Sequence, residues 1–323
     1  MRSAERDGER GAALLTVLLL VAVIAVMAAG ALERLRLATR LTGNATGIEQ
    51  ARSFAAAGET LALSRVDALL GQNPMRVSLA GGWSDAPFTL PLPGGTAVAR
   101  VTDGGNCFNL NGLVSAATPG VYITNPAARA TFARLMRLLQ VPPQVAEQVA
   151  AGAADWIDTD ADQQPNGAAD GAYTGQDPPY RTAGTLMADP SELRAVAGVT
   201  PDLYARLKPW LCTLPVAAPA RINVNTLSPA QAPLVAMLAP DTLPPGAVQA
   251  ALERRPPGGW DSIDQFTALL PPADLSGGPL GVTSTWFALR IDVAANGADL
   301  HETSLIDATR LPAALVNRQW GEE

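Results

Sequence analysis

The pattern of hydrophobic and polar residues begins with one long apolar block. Residues 12–32 form an uncharged apolar run of 21 residues. At about 1.5 Å of helical rise per residue the run spans roughly 31 Å, which is enough to cross the hydrocarbon of a bilayer. It therefore predicts a membrane-spanning helix.

A helical pattern continues beyond this run to about residue 70. Apolar or small residues recur three, four or seven positions apart, which places them on one face of a helix. These residues are Ile48, Ala51, Ala55, Ala62, Val66 and Leu69. The apolar helix is therefore expected to continue as an amphipathic one. Because Gly43 and Gly47 each weaken a helix by about 1 kcal/mol relative to Ala, two helices joined by a short loop are the alternative.

Short strand-like segments bounded by turn residues occur in two groups that lie far apart in the chain. The predicted strands are residues 76–79, 88–90, 96–101, 285–293, 300–307 and 314–320. Asn296-Gly297 supplies the positive φ angles of a tight hairpin. These features predict one antiparallel sheet built from two separate parts of the chain.

Between the two groups, from about residue 122 to residue 280, the pattern is helical and interrupted by proline. Asn125 followed by Pro126 is typical of an N-cap with Pro at the first helical position. Similar signals place further helix starts near Pro143, Asp189, Thr200, Asn225 and Asp261. The sequence thus predicts an α+β fold, in which a long N-terminal helix packs on an antiparallel sheet and a large all-α domain is inserted in the sheet.

Composition and charge narrow the classes of function. The 323 residues carry a formal net charge of -7, and because duplex binding needs a basic face, no nucleic acid is expected as a partner. The chain has one histidine, His301, and no Gly-x-Ser-x-Gly elbow, which disfavours metal-dependent and serine hydrolases.

Two rival functions remain open at this point. A membrane-anchored periplasmic hydrolase that uses carboxylates needs only two acids in one cleft. A helix-hairpin-helix DNA-uptake protein is suggested by the short proline-opened helices within residues 222–254. The acidic balance and the lack of a G-x-G hairpin there argue against the second.

The residues before the apolar run resemble the leader of type IV pilins and type II secretion pseudopilins. Three arginines and three acids, Arg2, Glu5, Arg6, Asp7, Glu9 and Arg10, precede Gly11, which directly touches the apolar run. In that family a prepilin peptidase cuts after such a glycine, so the resemblance implies cleavage between Gly11 and Ala12. A conventional signal peptide cut near residues 29–31 is the alternative.

Thr16 stands at the fifth position of the implied mature chain, where most members of the family carry Glu. That Glu pairs with the N-terminal amine of a neighbouring subunit, since an unpaired carboxylate in the bilayer costs several kcal/mol. The family member without it, which is large and sits at the fibre tip, is minor pseudopilin K. This chain resembles the minor pseudopilin K family.

Local sequence supports the resemblance over most of the chain. The matching segments are Cys-Phe-Asn-Leu-Asn at 107–111, the acidic stretch at 155–173 and Ile-Asn-Val-Asn-Thr at 222–226. The resemblance implies a leader at 1–11, a transmembrane and amphipathic helix at 12–70, sheet parts at 71–121 and 281–323, and a helical insert at 122–280.

The resemblance also implies a function and a location. The protein would be a noncatalytic subunit at the periplasmic tip of a type II secretion pseudopilus, where it helps to start assembly and thereby export across the outer membrane. Its partners would be the minor pseudopilins I and J, other pseudopilins and the prepilin peptidase. It would cross the bacterial inner membrane once, with its globular part in the periplasm.

Members of this family bind calcium near the acidic stretch, and Ca²⁺ prefers hard oxygen ligands. The expected ligands here are Asp158, Asp160 and Asp170, with Asp162 in reserve. An EF-hand loop starting at Asp158 is excluded because its sixth residue is not Gly and its twelfth, Ala169, is not Glu. Ala169 also replaces a carboxylate that the family uses. A solvated acidic turn is the alternative.

The chain has two cysteines, Cys107 and Cys212. Export to an oxidising compartment favours a disulfide between them. Two buried free thiols are the alternative.

Overall fold

A computed structural model describes residues 3–160, 162–239, 242–275 and 277–321, with side chains from Ala13 onward. The helices and strands, in chain order, are α1 (Ser3–Gln72), β1 (Phe88–Leu92), β2 (Gly95–Asp103), β3 (Phe108–Asn109), β4 (Val114–Thr118), β5 (Val121–Thr124), α2 (Pro126–Leu138), α3 (Pro143–Ile157), α4 (Pro201–Leu207), β6 (Leu211–Cys212), β7 (Ile222–Asn223), α5 (Pro233–Ala236), α6 (Pro245–Glu253), α7 (Ile263–Thr267), β8 (Leu280–Gly281), β9 (Trp286–Ala295), β10 (Ala298–Asp307) and β11 (Ala314–Trp320). Five short 3₁₀ turns, Leu110–Leu113, Asp170–Ala172, Pro190–Ala195, Lys208–Trp210 and Pro229–Gln231, lie between them.

Helix α1 is one continuous helix of 70 residues. It runs through Gly43 and Gly47 without a break, so the alternative of two helices joined by a loop is wrong. Gly47 is buried where the helix meets the tip of the β9–β10 hairpin, next to Ala298. Packing at that point offsets the low helix propensity of glycine. Before Gly47 the described side chains are exposed, and this half of α1 is long and apolar enough to cross a membrane.

The C-terminal half of α1 lies against the sheet through small residues. Four members of the predicted stripe are buried, namely Ala51, Ala55, Ala62 and Val66, whereas Ile48 is exposed. A Cβ added at Gly58 would lie 3.1 Å from Cδ1 of Ile291 in β9, closer than most such contacts. The short side chains therefore let the helix approach the sheet closely.

The sheet has five strands in the order β1-β2-β9-β10-β11, and every neighbouring pair is antiparallel. The pairing of β2 with β9 joins the two sequence-distant groups, as predicted. Asn296 and Gly297 have φ angles of 51° and 78°, which makes the expected hairpin turn. The predicted strand at residues 76–79 is wrong. Val77 instead donates its backbone N–H to the carbonyl of Val282, 2.8 Å away in the loop before β9.

The insert is mainly helical but not all-α. The insert also contains three short strand pairs among the described residues. β3 pairs with β6 and β7 pairs with β8 in parallel, and β4 pairs with β5 in an antiparallel arrangement. The expectation of an all-helical insert is wrong in this respect. The strands of the two parallel pairs have two residues each, which is too short to leave a periodic pattern. The α+β class itself is confirmed.

Cap residues position the insert helices largely as the sequence predicts. The Asn125 side chain accepts hydrogen bonds from two backbone N–H groups of α2, and Thr200 caps α4. Asp189 and Glu192 form a reciprocal capping box on a 3₁₀ turn. In the segment 225–230, where the sequence predicts a further helix start, the structure has a 3₁₀ turn, Pro229–Gln231, capped by Ser228. The Asn225 side chain bonds the backbone of Trp260 instead.

The insert and the sheet have separate hydrophobic cores. The insert core begins at Phe108, ahead of the boundary at residue 122 that the resemblance implied, because β3, β4 and β5 do not join the five-stranded sheet. Its large members include Phe132, Met136, Trp156, Tyr173, Trp260 and Phe266. The sheet core lies between α1 and the strands and includes Val66, Phe88, Phe287, Ile291 and Ile306. The sheet and the insert are therefore joined near the last residue of β2 and the first residue of β9.

Candidate functional site

A disulfide marks the junction between insert and sheet. Cys107 and Cys212 are bonded, with their Cα atoms 5.8 Å apart, which confirms the predicted bridge and makes the alternative of free thiols wrong. Cys107 packs with Trp286 of β9, and Leu305 of β10 lies beside this group. The bridge thus links the residue just before β3 to the last residue of β6, next to the sheet.

Asp103, the last residue of β2, links the sheet to the insert. Its carboxylate accepts hydrogen bonds from the hydroxyls of Ser284 and Thr226 and from the backbone N–H of Gly105. Burial raises the pKa of Asp103, and the three donors act against that rise. The side chain therefore joins β2, the start of β9 and the insert at one point.

The Phe-Asn-Leu-Asn segment at the junction is held by two buried amides. Asn109 donates to the carbonyls of Val216 and Ala218, 3.1 and 2.8 Å away, and accepts from the N–H of Leu214. Asn111 donates to the carbonyls of Met187 and Leu214 and accepts from the N–H of Met187. Together they fix loops that are more than 70 residues distant in sequence.

The Ile-Asn-Val-Asn-Thr segment repeats this arrangement. Asn223 donates to the carbonyl of Val77 and to Ser284, while Asn225 both donates to and accepts from the backbone of Trp260. Sequence reasoning used these asparagines only as family markers and missed their structural role. The signal was present in the alternation of Asn with apolar residues in both segments.

The acidic loop starts at the end of α3. Asp158 is 3 % exposed, and its Oδ2 accepts a hydrogen bond of 2.8 Å from the Thr124 hydroxyl. Burial, and secondarily the nearby Asp160 and Asp155 charges, raise the pKa of Asp158 to about 6. A bound cation would offset the repulsion among the carboxylates of Asp155, Asp158 and Asp160.

Asp155 is also buried, and burial raises its pKa. It accepts a hydrogen bond from the backbone N–H of Gln164, which closes the acidic loop on the helix. A Cβ added at Gly167 would lie 2.0 Å from Asp155 Oδ2, so any larger residue there would have to displace this carboxylate. Asp155 therefore shapes the loop.

The remaining candidate ligands are engaged elsewhere. Asp160 accepts from the backbone N–H of Asp162. Asp170 accepts from the hydroxyl and the backbone N–H of Thr182, and it lies 3.3 Å from Nη1 of Arg181. These hydrogen bonds, the hydroxyl's first, lower the pKa of Asp170.

Asp158, Asp160 and Asp170 do not lie together as one set of ligands in the described structure. Within the described ranges no three His, Cys, Asp or Glu residues lie close enough together to hold a metal ion. Arg181 already provides a positive charge next to the Asp170 carboxylate. Calcium binding at Asp158, Asp160 and Asp170 stays a prediction.

The membrane-proximal candidates lie in the exposed half of α1. The hydroxyl of Thr16 donates to the backbone carbonyl of Ala13, 2.8 Å away, so it satisfies itself within its own helix. Gly11 and Ala12 lie in the same helix, outside the residues whose side chains are described. Cleavage between them stays a prediction.

Comparison with known proteins gives consistent matches. Family models described as type II secretion system (T2SS), protein K, match residues 106–216 and 222–290. The type II secretion system protein K of Pectobacterium carotovorum is 34 % identical, covering 98 % of both chains, and that of Aeromonas hydrophila is 35 % identical, covering 90 % of both. A chain in the crystal structure of the GspK-GspI-GspJ complex from enterotoxigenic Escherichia coli matches with a TM-score of 0.72 at 33 % identity, covering 85 % of this chain and 97 % of that one.

Proposed function

We propose that this chain, which belongs to the type II secretion system protein K family, is a noncatalytic minor pseudopilin at the tip of the pseudopilus. It helps to start assembly of the fibre and so supports protein export across the outer membrane. The observation that carries the proposal is the structural likeness to a chain of the GspK-GspI-GspJ complex over 85 % of this chain.

The partners follow from the same likeness. The minor pseudopilins I and J would contact this chain, and the natural surface for them is the part of α1 that emerges from the sheet. The side chains of that part are exposed from Ala13 to Thr46, and many of them are apolar.

The same helix supplies the anchor. The apolar run of α1 would cross the inner membrane once and leave the sheet and insert in the periplasm. The prepilin peptidase would remove residues 1–11 on the cytoplasmic side and leave the run as the start of the mature chain.

Two features suit a terminal position in the fibre. Thr16 cannot offer the carboxylate that other subunits use to bind the N-terminal amine of a neighbour, and its hydroxyl is already bonded within α1. The insert has a core of its own, and its bulk would leave no room for a further subunit above this one in the fibre.

Crosslinking in the native host tests the proposal. A photoreactive residue placed at exposed Leu41 should crosslink to pseudopilins I and J, and the same residue at exposed Arg254 in the insert should not. Immunogold labelling should find the protein at one end of each fibre. Labelling along the whole fibre would rule out the tip position, and a mature chain that begins near Leu32 would rule out prepilin processing.

A further inference from the structure

Three arginines follow the apolar run directly and have no carboxylate partner among the described side chains. Arg34, Arg36 and Arg40 are exposed on α1, and Glu33 is the one acid beside them. The next carboxylate along the helix is that of Glu49, which pairs with Arg52 at 2.6 Å. In a chain with a net charge of -7, this basic segment is not explained by contacts within the molecule.

The three arginines point to two sides of the helix. At about 100° per residue, Arg36 and Arg40 lie about 40° apart around α1, and Arg34 lies about 160° from Arg36. A partner helix that contacts one face would not reach all three. Lipid headgroups lie on every side of a membrane-spanning helix and can reach both directions.

Arg34 and Arg36 lie at the depth of the headgroup layer of a bilayer, and the Cα atom of Arg40 lies beyond that layer. Counted from Leu32 at about 1.5 Å per residue, Arg34 lies roughly 3 Å, Arg36 roughly 6 Å and Arg40 roughly 12 Å beyond the apolar run. The headgroup layer is about 5–7 Å thick on each side. Because the Cα–Cβ bonds of a helix tilt toward its N-terminus, which here is the membrane side, the long Arg40 side chain leans back toward this layer.

Leucines alternate with the arginines. Leu35 and Leu37, which stand next to Arg34 and Arg36, are 64 % and 58 % exposed. Apolar side chains interleaved with cationic ones are typical of a helix at the boundary between acyl chains and headgroups.

We propose that Arg34, Arg36 and Arg40 form an arginine collar that binds the phosphate groups of anionic phospholipids in the periplasmic leaflet. The inference rests on the proposed function, which sets α1 across the inner membrane. Guanidinium groups bind phosphate through paired hydrogen bonds. Cleavage after Gly11 removes the arginines of the leader, so Arg34, Arg36 and Arg40 are the arginines that remain next to the bilayer. Their binding to phosphate would set the depth of α1 in the membrane.

Lipid retention by the full-length protein tests the collar. The protein is equilibrated in mixed micelles of detergent with phosphatidylglycerol and phosphatidylcholine, and native mass spectrometry counts the lipids retained. Wild type should retain phosphatidylglycerol preferentially. Replacing all three collar arginines by Gln should lower that preference about fivefold for each arginine. Replacement by Lys should keep the Coulombic part of the preference and lose the part that comes from paired hydrogen bonds, so it should give an intermediate value.

A charge-matched control uses three exposed arginines of the insert, Arg181, Arg206 and Arg254, each changed to Gln. It should leave the lipid preference unchanged. An equal loss in the control, or full retention of phosphatidylglycerol by the collar variant, overturns the proposal. Retention by the collar variant together with loss of crosslinking to pseudopilins would assign the arginines to carboxylates of a neighbouring subunit.

Carbonate extraction separates this proposal from the proposed function. Wild type and collar variant should both stay in the membrane, because the apolar run is intact in both. Extraction of the wild type would contradict the membrane anchor and the collar together. A retained anchor without preference for phosphatidylglycerol would contradict the collar alone.

Discussion

Arg318 of the edge strand β11 and Glu59 of α1 form an ion pair with two parallel hydrogen bonds. Nε lies 2.5 Å from Oε1, and Nη2 lies 2.6 Å from Oε2. Glu302 of β10 is fully buried, with its Oε1 3.7 Å from Nε of Arg318, and Ser304 donates to it. Two buried carboxylates therefore share one guanidinium between the helix and the sheet, which holds β11 against α1.

Glu302 should make stability depend on pH. Burial, and then its contact with Glu59, raise the pKa of Glu302 from 4.5 to about 7. Because the folded state holds this proton more tightly than the unfolded chain, its contribution is fully present below about pH 4.5 and is lost as pH rises through about 7. We expect Glu302→Gln to gain stability relative to wild type over this interval and to keep a constant advantage above it.

Urea unfolding followed by tryptophan fluorescence at several pH values measures this difference. Asp299→Asn, which removes an exposed carboxyl from the same strand, is the control and should follow the wild type. A parallel pH dependence of Glu302→Gln and wild type would contradict the prediction.

Arg318→Ala should lower the free energy of unfolding by about 2 kcal/mol. It leaves Glu59, which is 7 % exposed, without its cation. Loss of one partner from a fully buried pair costs about 3–5 kcal/mol, and the expected value is smaller because the Arg318 side chain is 40 % exposed. In a double-mutant cycle with Glu59→Gln, the double variant should be less destabilised than the sum of the single variants. Additive losses would show that the pair is not coupled.

Asn109→Ala should cost about 3 kcal/mol, because several buried backbone groups lose their hydrogen-bond partner at once. These groups are the carbonyls of Val216 and Ala218 and the N–H of Leu214. Asn44→Ala, at an exposed position of α1, is the matched control and should be neutral or slightly stabilising. Chemical denaturation of both variants measures the difference, and equal stability would show that the buried amide does not organise the junction.

Calcium should raise the melting temperature of the full-length protein at neutral pH, and Asp158→Asn should remove the effect. Because the pKa of Asp158 is raised to about 6, protons compete with the cation and the shift should shrink below that pH. Thermal unfolding with calcium or with a chelator measures this, and Asp202→Asn in α4 is the control. A melting temperature that calcium leaves unchanged would contradict a metal site at the acidic loop.

Features encoded by near neighbours were predictable from the sequence. The strand at 314–320 matches β11, the Asn296-Gly297 turn has the expected φ angles, and the Asn125 cap starts α2 where proposed. Each feature depends on the alternation of apolar and polar residues or on side chains within one turn. Such local patterns can be recognised in the sequence alone. The disulfide was also predictable, because two cysteines allow only one internal pairing and the predicted export favours that pairing.

Contacts between distant residues were not predictable in this way. Arg318 and Glu59 are 259 residues apart, and nothing near either one indicates the other. Asn109 and Asn223 read as polar residues in apolar segments until the loops that they bond are known. Local patterns in the sequence specify the membrane-length helix, the split sheet and the helical insert. Long-range packing specifies which carboxylates share a cation, which amides are buried and why α1 stays helical through Gly43 and Gly47. Each of these depends on which surfaces pack together.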